Sequence, residues 1–363
     1  MASRQRLLLA IIFSLALAVA LAGNWLFSAS SASRQSTFST VVANVTETSA
    51  QQQPVTFIPP PKPATPPAVD MARLMHHVQR LSYERVQNRD RARARAYITQ
   101  VLTAAGWQVV EQSFGNGGVN LVADQPSAVR PVKTLLVGAH YDTVPRSPGA
   151  DDNATSLATL LELARLLRPI SLSAPLRLVV FDQEEIGLLG STAFAARADN
   201  LRGLKAAVIM DMLGYACYQP GCQRYPASVP ANLPNSTGDF LAVIGNEENA
   251  ELLAAFITPD RAQSFQINRL LNLQYQPSTD RLPAVIALPV PLRGILTPDL
   301  LRSDHAPFWQ QQIGAVLLTD TANFRSPHYH QPTDTPQHID QAFFAKSAQL
   351  VVDATVNLLQ QLQ

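Results

Sequence analysis

The stretch TLLVGAHYD, residues 134–142, decides the fold, because a continuous apolar run leads directly into a histidine and an aspartate. The stretches 176–181 and 206–210 repeat this pattern and run into Asp182 and Asp211. Continuous apolar runs of this length are typical of parallel strands that are buried on both faces. Segments with helical spacing of apolar residues separate them, so the sequence predicts a parallel sheet covered by helices.

Apolar patterns outside these three strands extend the same architecture. The spacing predicts one or two helices over 71–106, and further helices over 154–167, 248–257 and 341–362. Additional strands are predicted at 119–123, 240–244 and 315–318. The predicted fold is therefore α/β with three layers, a mostly parallel sheet with helices on both faces, in a single catalytic domain over residues 70–363.

The first 69 residues differ in composition from this domain. Arg4 and Arg6 precede an apolar run over 7–23, which is typical of a signal peptide or an uncleaved signal-anchor, assigned to residues 1–27. Residues 28–69 are rich in Ser, Thr, Gln and Pro and predict a linker. We expect an exported protein, either periplasmic or extracellular, or one anchored to the membrane through residues 7–27.

Composition and charge exclude several classes of protein. The chain has 363 residues, of which 47% are hydrophobic and 15% charged, and its net charge is +1. These values exclude a mainly disordered chain, a polytopic membrane protein and a nucleic-acid binder that works through bulk positive charge. We expect a monomer that binds no nucleic acid.

Candidate metal ligands follow the predicted strands at the points where the strands end. His140 and Asp142 come after the first strand, Glu184-Glu185 after the second and Asp211 after the third. The segments 149–153 and 327–330 add two aspartates and two histidines. In open α/β sheets, ligands bind outside the carboxyl ends of the strands, so we expect these side chains to converge.

Each of these groups has an ordinary structural explanation when it is taken alone. Asp151-Asp152 before a helix could be an N-cap pair, and Glu184-Glu185 could be a solvated pair. Together, several carboxylates at one sheet edge would repel one another strongly unless cations lie between them. Two histidines and three carboxylates are the ligand set expected for two zinc ions, with one carboxylate bridging. Glu184 is then left over, and an unligated glutamate beside an activated water is what a general base requires.

Five motifs, in order along the chain, carry a resemblance to a known family. They are GAHYD at 138–142, GADDN at 149–153, EEIGLLGS at 184–191, Asp211-Met212, and His330 with Asp334-Thr335. From about Met71 to the C-terminus the sequence resembles the co-catalytic di-zinc aminopeptidases of the bacterial leucyl aminopeptidase type, which are related to the glutaminyl cyclases. The resemblance implies a zinc-dependent exopeptidase fold and two zinc ions.

The resemblance also implies which residues hold the two zinc ions. Asp152 would bridge both metals. One zinc would then bind Glu185 and His330, and the other His140 and Asp211. His328 lies two residues before His330 and could compete as the ligand, but the spacing to Asp334 favours His330.

Four further residues match positions around the metals in the same family. Glu184 matches the general base, and Asp142 matches the carboxylate that orients His140. A carboxylate in that position also agrees with the general rule that the second nitrogen of a metal-binding imidazole is held by a hydrogen-bond acceptor. Asp304 and His305 lie in a segment that resembles the one beside the family's substrate pocket. We place them in the pocket or behind the metal ligands, although structural pairing explains them equally well.

Other sequence features near these motifs have simpler interpretations. Cys217 and Cys222 flank a turn sequence, which in an exported protein predicts a disulfide, and some members of the family carry one in this neighbourhood. The arginines between Arg89 and Arg95 are interpreted as a solvated helix face. Asn153-Ala154-Thr155 matches a glycosylation sequon, but a glycan there would lie in the metal site, so the match is taken as accidental.

The expected function is hydrolysis of the N-terminal residue of a peptide with a free amine, by a zinc metallo-aminopeptidase. A carboxypeptidase of the same fold is compatible with the same metal ligands. A glutaminyl cyclase is the nearest alternative, although its bridging motif lacks the doubled acid and it holds one zinc. A non-catalytic binding domain of this fold is a remote alternative, since such domains lose ligands that this chain keeps.

Overall fold

A computed structural model describes residues 66–126, 133–168, 174–229, 236–258, 262–266 and 272–362. The expected signal segment and most of the expected linker lie outside these ranges. None of the helices within them combines the length and the apolar character that crossing a bilayer requires.

A ten-stranded sheet forms the centre of the molecule, in the order β1-β2-β4-β3-β5-β10-β6-β9-β8-β7. The strands are β1 Gln108–Phe114, β2 Gly118–Asp124, β3 Thr134–His140, β4 Leu176–Phe181, β5 Leu204–Met210, β6 Phe240–Asn246, β7 Gln263–Gln266, β8 Asn272–Gln276, β9 Ala284–Val290 and β10 Gly314–Thr319. The central strands β4, β3, β5 and β10 run parallel to one another. The outer strands add antiparallel pairs, so the sheet as a whole is mixed.

Helices cover both faces of the sheet, which confirms the predicted three-layer α/β class. They are α1 Met71–Leu81, α2 Asn88–Ala104, α3 Ser156–Leu167, α4 Leu189–Ala195, α5 Ala198–Leu201, α6 Ala306–Gln310 and α7 Gln341–Gln361. Consecutive strand residues contribute to opposite cores: Val137 packs in one with α1, α2, α3 and α7, while Leu136 packs in the other with Phe194 and Trp309. Burial on both faces explains why these strands are continuously apolar.

Strand register brings the functional side chains to one edge of the sheet. His140 pairs with Phe181, and Met210 pairs with Leu318, so β3, β4, β5 and β10 end at nearly the same level. Because all four strands are parallel, the residues that follow them share the carboxyl edge.

Most strongly apolar elements lie where the sequence predicts them, whereas β1, β7, β8 and β9 were not predicted. β1 lies at the edge of the sheet and carries only exposed and half-buried residues, so it has no buried position to mark it. The segment predicted as a helix over 248–257 is a 3₁₀ helix, Glu247–Phe256.

The interpretation of the arginine run as a solvated face is wrong for two of its members. Arg91 and Arg95 are 9% and 8% exposed, whereas Arg89 and Arg93 are exposed. Arg91 Nε lies 2.9 Å from Asp182 Oδ1, and Arg95 Nη1 lies 4.0 Å from Asp182 Oδ2. Asp182 is fully buried and also accepts a hydrogen bond from the Val119 amide, so it ties α2 and β2 to the end of β4.

Replacing Asp182 with Ala should lower the free energy of unfolding by about 3 kcal/mol, because it removes the counter-charge of buried Arg91 and leaves Arg95 only the exposed carboxylate of Glu111. Urea denaturation would measure the change. The matched control is Asp199→Ala, which removes the ion pair between Arg202 and the Asp199 side chain, which is 84% exposed. The control should cost less than about 1 kcal/mol, and an equal loss in both variants would contradict the role given to Asp182.

Candidate active site

Two groups of potential metal ligands meet at the carboxyl edge of the sheet. One contains His140, Asp152 and Asp211, and the other contains Asp152, Glu185 and His330. His140 Nε2 lies 3.3 Å from Asp152 Oδ1 and 3.6 Å from Asp211 Oδ1. His330 Nε2 lies 3.2 Å from Asp152 Oδ2 and 3.0 Å from Glu185 Oε2. Each oxygen of Asp152 therefore faces a different group.

The loop that carries Asp152 is fixed by charged residues from distant parts of the chain. Asp334 accepts hydrogen bonds from the backbone N–H groups of Asp151 and Asp152, at 2.8 and 3.1 Å. Fully buried Arg85 donates to the carbonyl oxygens of Tyr141 and Gly149, the residues that bound the preceding loop. Arg85, near the start of the described chain, and Asp334, near its end, therefore both hold the loop that carries Asp152.

Asn153 holds the segment that carries Asp211. Its Nδ2 donates to the Met210 carbonyl at 3.1 Å, and its Oδ1 accepts from the Met212 amide at 3.0 Å. These two bonds bracket Asp211 in the chain. Asn153 is fully buried, so this fold has no room for a glycan on its side chain, in line with the accidental sequon.

Asp142 connects the two ligand groups through the backbone. Its Oδ1 lies 3.5 Å from His140 Nδ1 and accepts from the Glu184 amide at 3.0 Å. Its Oδ2 accepts from the Glu185 amide at 3.2 Å. One carboxylate therefore lies beside the outer nitrogen of His140 and also holds the turn that carries both glutamates.

Glu184 and Glu185 leave this turn in different directions. Glu185 contacts His330, whereas Glu184 belongs to neither ligand group and lines the adjacent cavity. The side chain of Glu184 is buried, and this burial raises the pKa of its carboxyl well above the usual range, with Asp211 and Asp304 adding to the effect.

The charges of the site oppose one another strongly. Burial alone would lower the pKa of His140, yet the surrounding carboxylates raise it well above the usual range. Burial would raise the pKa of Asp152, but the adjacent His140 and His330 imidazoles hold it below the usual range. Glu185 Oε1 and His330 Nε2 are buried atoms without a hydrogen-bond partner in the described structure. Histidine nitrogens and carboxylate oxygens that converge in this way fit divalent metal ions such as zinc.

A cavity of about 450 Å³ opens beside the ligand groups. At one end it is lined by Asp152, Glu184, Glu185, Asp211 and His330. Its other walls are mainly apolar and come from β6, β8, β9, β10 and the segments around them: Tyr225, Val229, Phe240, Ala242, Ile244, Leu273, Ile286, Leu288, Leu300, Leu301 and Leu317. The arrangement brings a polar, acidic centre against a pocket for an apolar group.

The structure places Asp304 and His305 behind this cavity, since neither lines it. Both are fully buried. Burial raises the pKa of Asp304 to about 7, with His140 opposing the shift. His305 bonds the Leu300 carbonyl through Nε2 at 2.8 Å and packs edge-on against Trp309, and burial lowers its pKa to about 4. His305 is thus positioned as a neutral core residue.

The remaining predicted residues are also accounted for. His328 lies outside both ligand groups and stacks on His338, with ring centroids 3.8 Å apart. Cys217 and Cys222 form a disulfide, as expected. This disulfide segment pairs with Gly238 next to β6, close to the cavity wall that starts at Gln223.

Sequence reasoning missed Asp320. It follows β10 directly, accepts from the Tyr215 and Ala322 amides and lies beside buried Asp151, whose pKa burial raises. The rule that polar residues after a buried strand deserve priority could have found Asp320, since β10 was predicted.

Residues 120–252 and 287–355 match peptidase family M28. The chain is 33% identical over 283 residues to the uncharacterized protein YfbL of Escherichia coli, covering 74% of this chain and 79% of that protein. It is 32% identical over 259 residues to the probable lipoprotein aminopeptidase LpqL of Mycobacterium tuberculosis, covering 67% of this chain and 48% of that protein. In fold it is similar to the glutaminyl cyclase of Macrostomum lignano, with a TM-score of 0.56 and 20% identity over 80% of this chain and 90% of the other.

The fold, the paired ligand groups and the neighbouring cavity define a metal-dependent hydrolase. The chain belongs to peptidase family M28, since the match covers more than half of its length. It is therefore a metallopeptidase.

Replacing Asp334 with Ala should weaken zinc binding by about 10- to 100-fold, because the two backbone N–H groups that orient the Asp152 loop lose their acceptor. Calorimetric titration of the metal-free protein with zinc would measure the dissociation constants. Asp280→Ala, at an exposed position, is the matched control and should leave them unchanged. Unchanged affinity in Asp334→Ala would show that the loop holds its position without this carboxylate.

Proposed function

We propose that the protein is a zinc aminopeptidase that removes N-terminal residues with apolar side chains from peptides. The observation that carries the proposal is the position of Asp152, whose two oxygens face two ligand groups at the mouth of an apolar cavity. A carboxylate placed in this way suits a pair of metal ions better than a single one.

The two ions would be held by His140, Asp152 and Asp211 on one side and by Asp152, Glu185 and His330 on the other. Imidazole nitrogens favour zinc over the oxygen-preferring ions magnesium and calcium. Zinc bound at these residues supplies polarisation of the scissile carbonyl and lowers the pKa of an attacking water.

Glu184 is the proposed general base. It is buried, lines the cavity beside the ligand groups and lies outside both of them. Its backbone N–H is fixed by Asp142, so the side chain leaves a rigid turn. The Glu184 carboxylate takes the proton of the attacking water and passes it to the leaving amine.

Family membership supports the choice of a free N-terminus as the group recognised. The charge of Asp152, Glu185 and Asp211 is offset by the proposed zinc ions and does not select the substrate, so the direction comes from the match to peptidase family M28 and from named relatives. The name of the relative LpqL, a probable lipoprotein aminopeptidase, agrees with this direction.

The apolar walls support a preference for large apolar side chains. Ala242, Ile244, Leu273 and Ile286 offer no charged partner to the side chain of the terminal residue. Each methylene group buried there contributes about 0.8 kcal/mol, so leucine should be preferred over alanine.

Export remains part of the proposal. Disulfides persist in oxidising compartments, and the bond between Cys217 and Cys222 agrees with a protein that acts outside the cytoplasm. We also propose that the protein binds two zinc ions, that it is a monomer, and that residues 7–27 tether it to the membrane.

The purified protein should cleave leucine p-nitroanilide and leave the N-acetylated form intact, since acetylation removes the amine charge. Chelation should abolish cleavage and zinc should restore it. Glu184→Gln should lower kcat by about 10²- to 10⁴-fold while zinc remains bound, because the carboxylate that moves the proton is gone. Glu247→Gln, at an exposed position, is the control.

Cleavage of both substrates would contradict an aminopeptidase. A single bound zinc with cyclisation of N-terminal glutamine would replace the proposal by a glutaminyl cyclase, and release of C-terminal residues would replace it by a carboxypeptidase.

Replacing Ala242 with Phe should fill part of the cavity and change specificity. Activity on leucine p-nitroanilide should fall about 10-fold or more relative to activity on alanine p-nitroanilide, because the larger side chain loses its space. The ratio of the two kcat/KM values is the measurement. Val110→Phe, at a position 63% exposed on the edge strand β1, should leave the ratio unchanged. A ratio unchanged in Ala242→Phe would place the terminal side chain elsewhere.

A further inference from the structure

The two histidines of the site are held in different ways. His140 is 1% exposed, and Asp142 lies 3.5 Å from the nitrogen that faces away from the ligand group. His330 is 31% exposed and has a left-handed backbone with φ of 60°, and both of its described carboxylate contacts, to Asp152 and Glu185, are made through Nε2. The second nitrogen of a metal-binding imidazole is usually fixed by a carboxylate, a carbonyl or water, and the described chain places a carboxylate beside that nitrogen of His140 but not beside that of His330.

Tyr329 supplies a support of a different kind. Its ring stacks on the His330 ring, with centroids 3.7 Å apart and planes inclined by 19°. Stacking at this distance limits rotation of the imidazole about its side-chain bonds and excludes water from one of its faces.

Arg302 in turn fixes Tyr329. Its Nη2 donates to the Tyr329 hydroxyl at 3.1 Å, and its Nη1 donates to Asn323 Oδ1 at 3.0 Å. The guanidinium is therefore held at two points and defines where the far end of the tyrosine lies. The sequence places Arg302 27 residues before Tyr329, so only the fold shows this contact.

We propose that Tyr329, held by Arg302, is a positioning residue for His330. Tyr329 holds His330 within the ligand group of Asp152, Glu185 and His330. In the group of His140, Asp152 and Asp211, Asp142 is the side chain that supports the histidine. The inference rests on the proposed two-zinc function, because it assigns separate supports to the two metal positions.

The test is calorimetric titration of the metal-free protein with zinc, which reports two dissociation constants and needs no catalysis. In Tyr329→Ala one of the two dissociation constants should rise about 10- to 100-fold while the other stays within about 2-fold. Tyr329→Phe keeps the stacked ring and should restore most of the affinity, leaving a rise below about 10-fold. Arg302→Met should match Tyr329→Phe, and the double variant Tyr329→Phe with Arg302→Met should be no weaker than either, because both remove one hydrogen bond.

Tyr218→Ala is the matched control. Tyr218 is 57% exposed, and its hydroxyl bonds Asp340. Its loss should leave both zinc constants unchanged. Thermal unfolding of each metal-free variant would separate loss of fold from loss of a ligand position, and the Phe and Met variants carry the test if Tyr329→Ala does not fold.

Two results would overturn the inference while leaving the proposed function intact. In the first, both zinc dissociation constants of Tyr329→Ala equal those of the wild-type protein. In the second, both constants weaken equally in every Tyr329 variant. Wild-type protein that binds a single zinc would contradict the proposed two-zinc function itself, and the inference with it.

Discussion

Crowding of carboxylates at one edge of the sheet is the constraint on which the site depends. Parallel strands that end at the same level, with the loops that follow them, bring five carboxylates together: Asp142, Asp152 and Glu184, which are buried, and Glu185 and Asp211, which are half-buried. Like charges at such distances are unfavourable, and burial makes them more so. The surrounding chain therefore has to provide donors or cations for each one.

The donors divide the carboxylates into two kinds. Asp142 and Asp334 each accept two backbone N–H groups, from Glu184 and Glu185 in one case and from Asp151 and Asp152 in the other. Uncharged amides stabilise these two in place. Asp152, Glu185 and Asp211 instead face the Nε2 atoms of His140 and His330, so they are the ones available to metal ions. Asp142 and Asp334 hold the backbone of the loops, and those loops position the carboxylates that face the imidazoles.

Much of this arrangement could be predicted from sequence because it follows from two local rules. A continuous apolar run such as 134–139 marks a strand that is buried on both faces, and polar residues directly after it mark the carboxyl edge. Those rules find His140, Asp211 and the glutamate pair without any contact information. They fail for Arg91 and Arg95, because nothing local shows that Asp182 will lie beneath that helix. They also fail for the stacked ring of Tyr329, whose effect depends on a distant arginine.

Backbone strain shows what the site requires beyond charge. Gln183, Met212 and His330 have φ values of 58°, 60° and 60°, and each is a ligand or lies next to a residue of the site. Left-handed backbone at such residues costs about 1–3 kcal/mol each and persists only where the surroundings fix it. Each of these residues leaves the extended conformation at or next to a functional side chain, whereas a regular strand extension would continue to alternate its residues between the two faces. The sheet thus determines where along the strands the ligands lie, and the residues with left-handed backbone determine the directions in which the ligand side chains point. Neither alone would bring two imidazoles to opposite oxygens of Asp152.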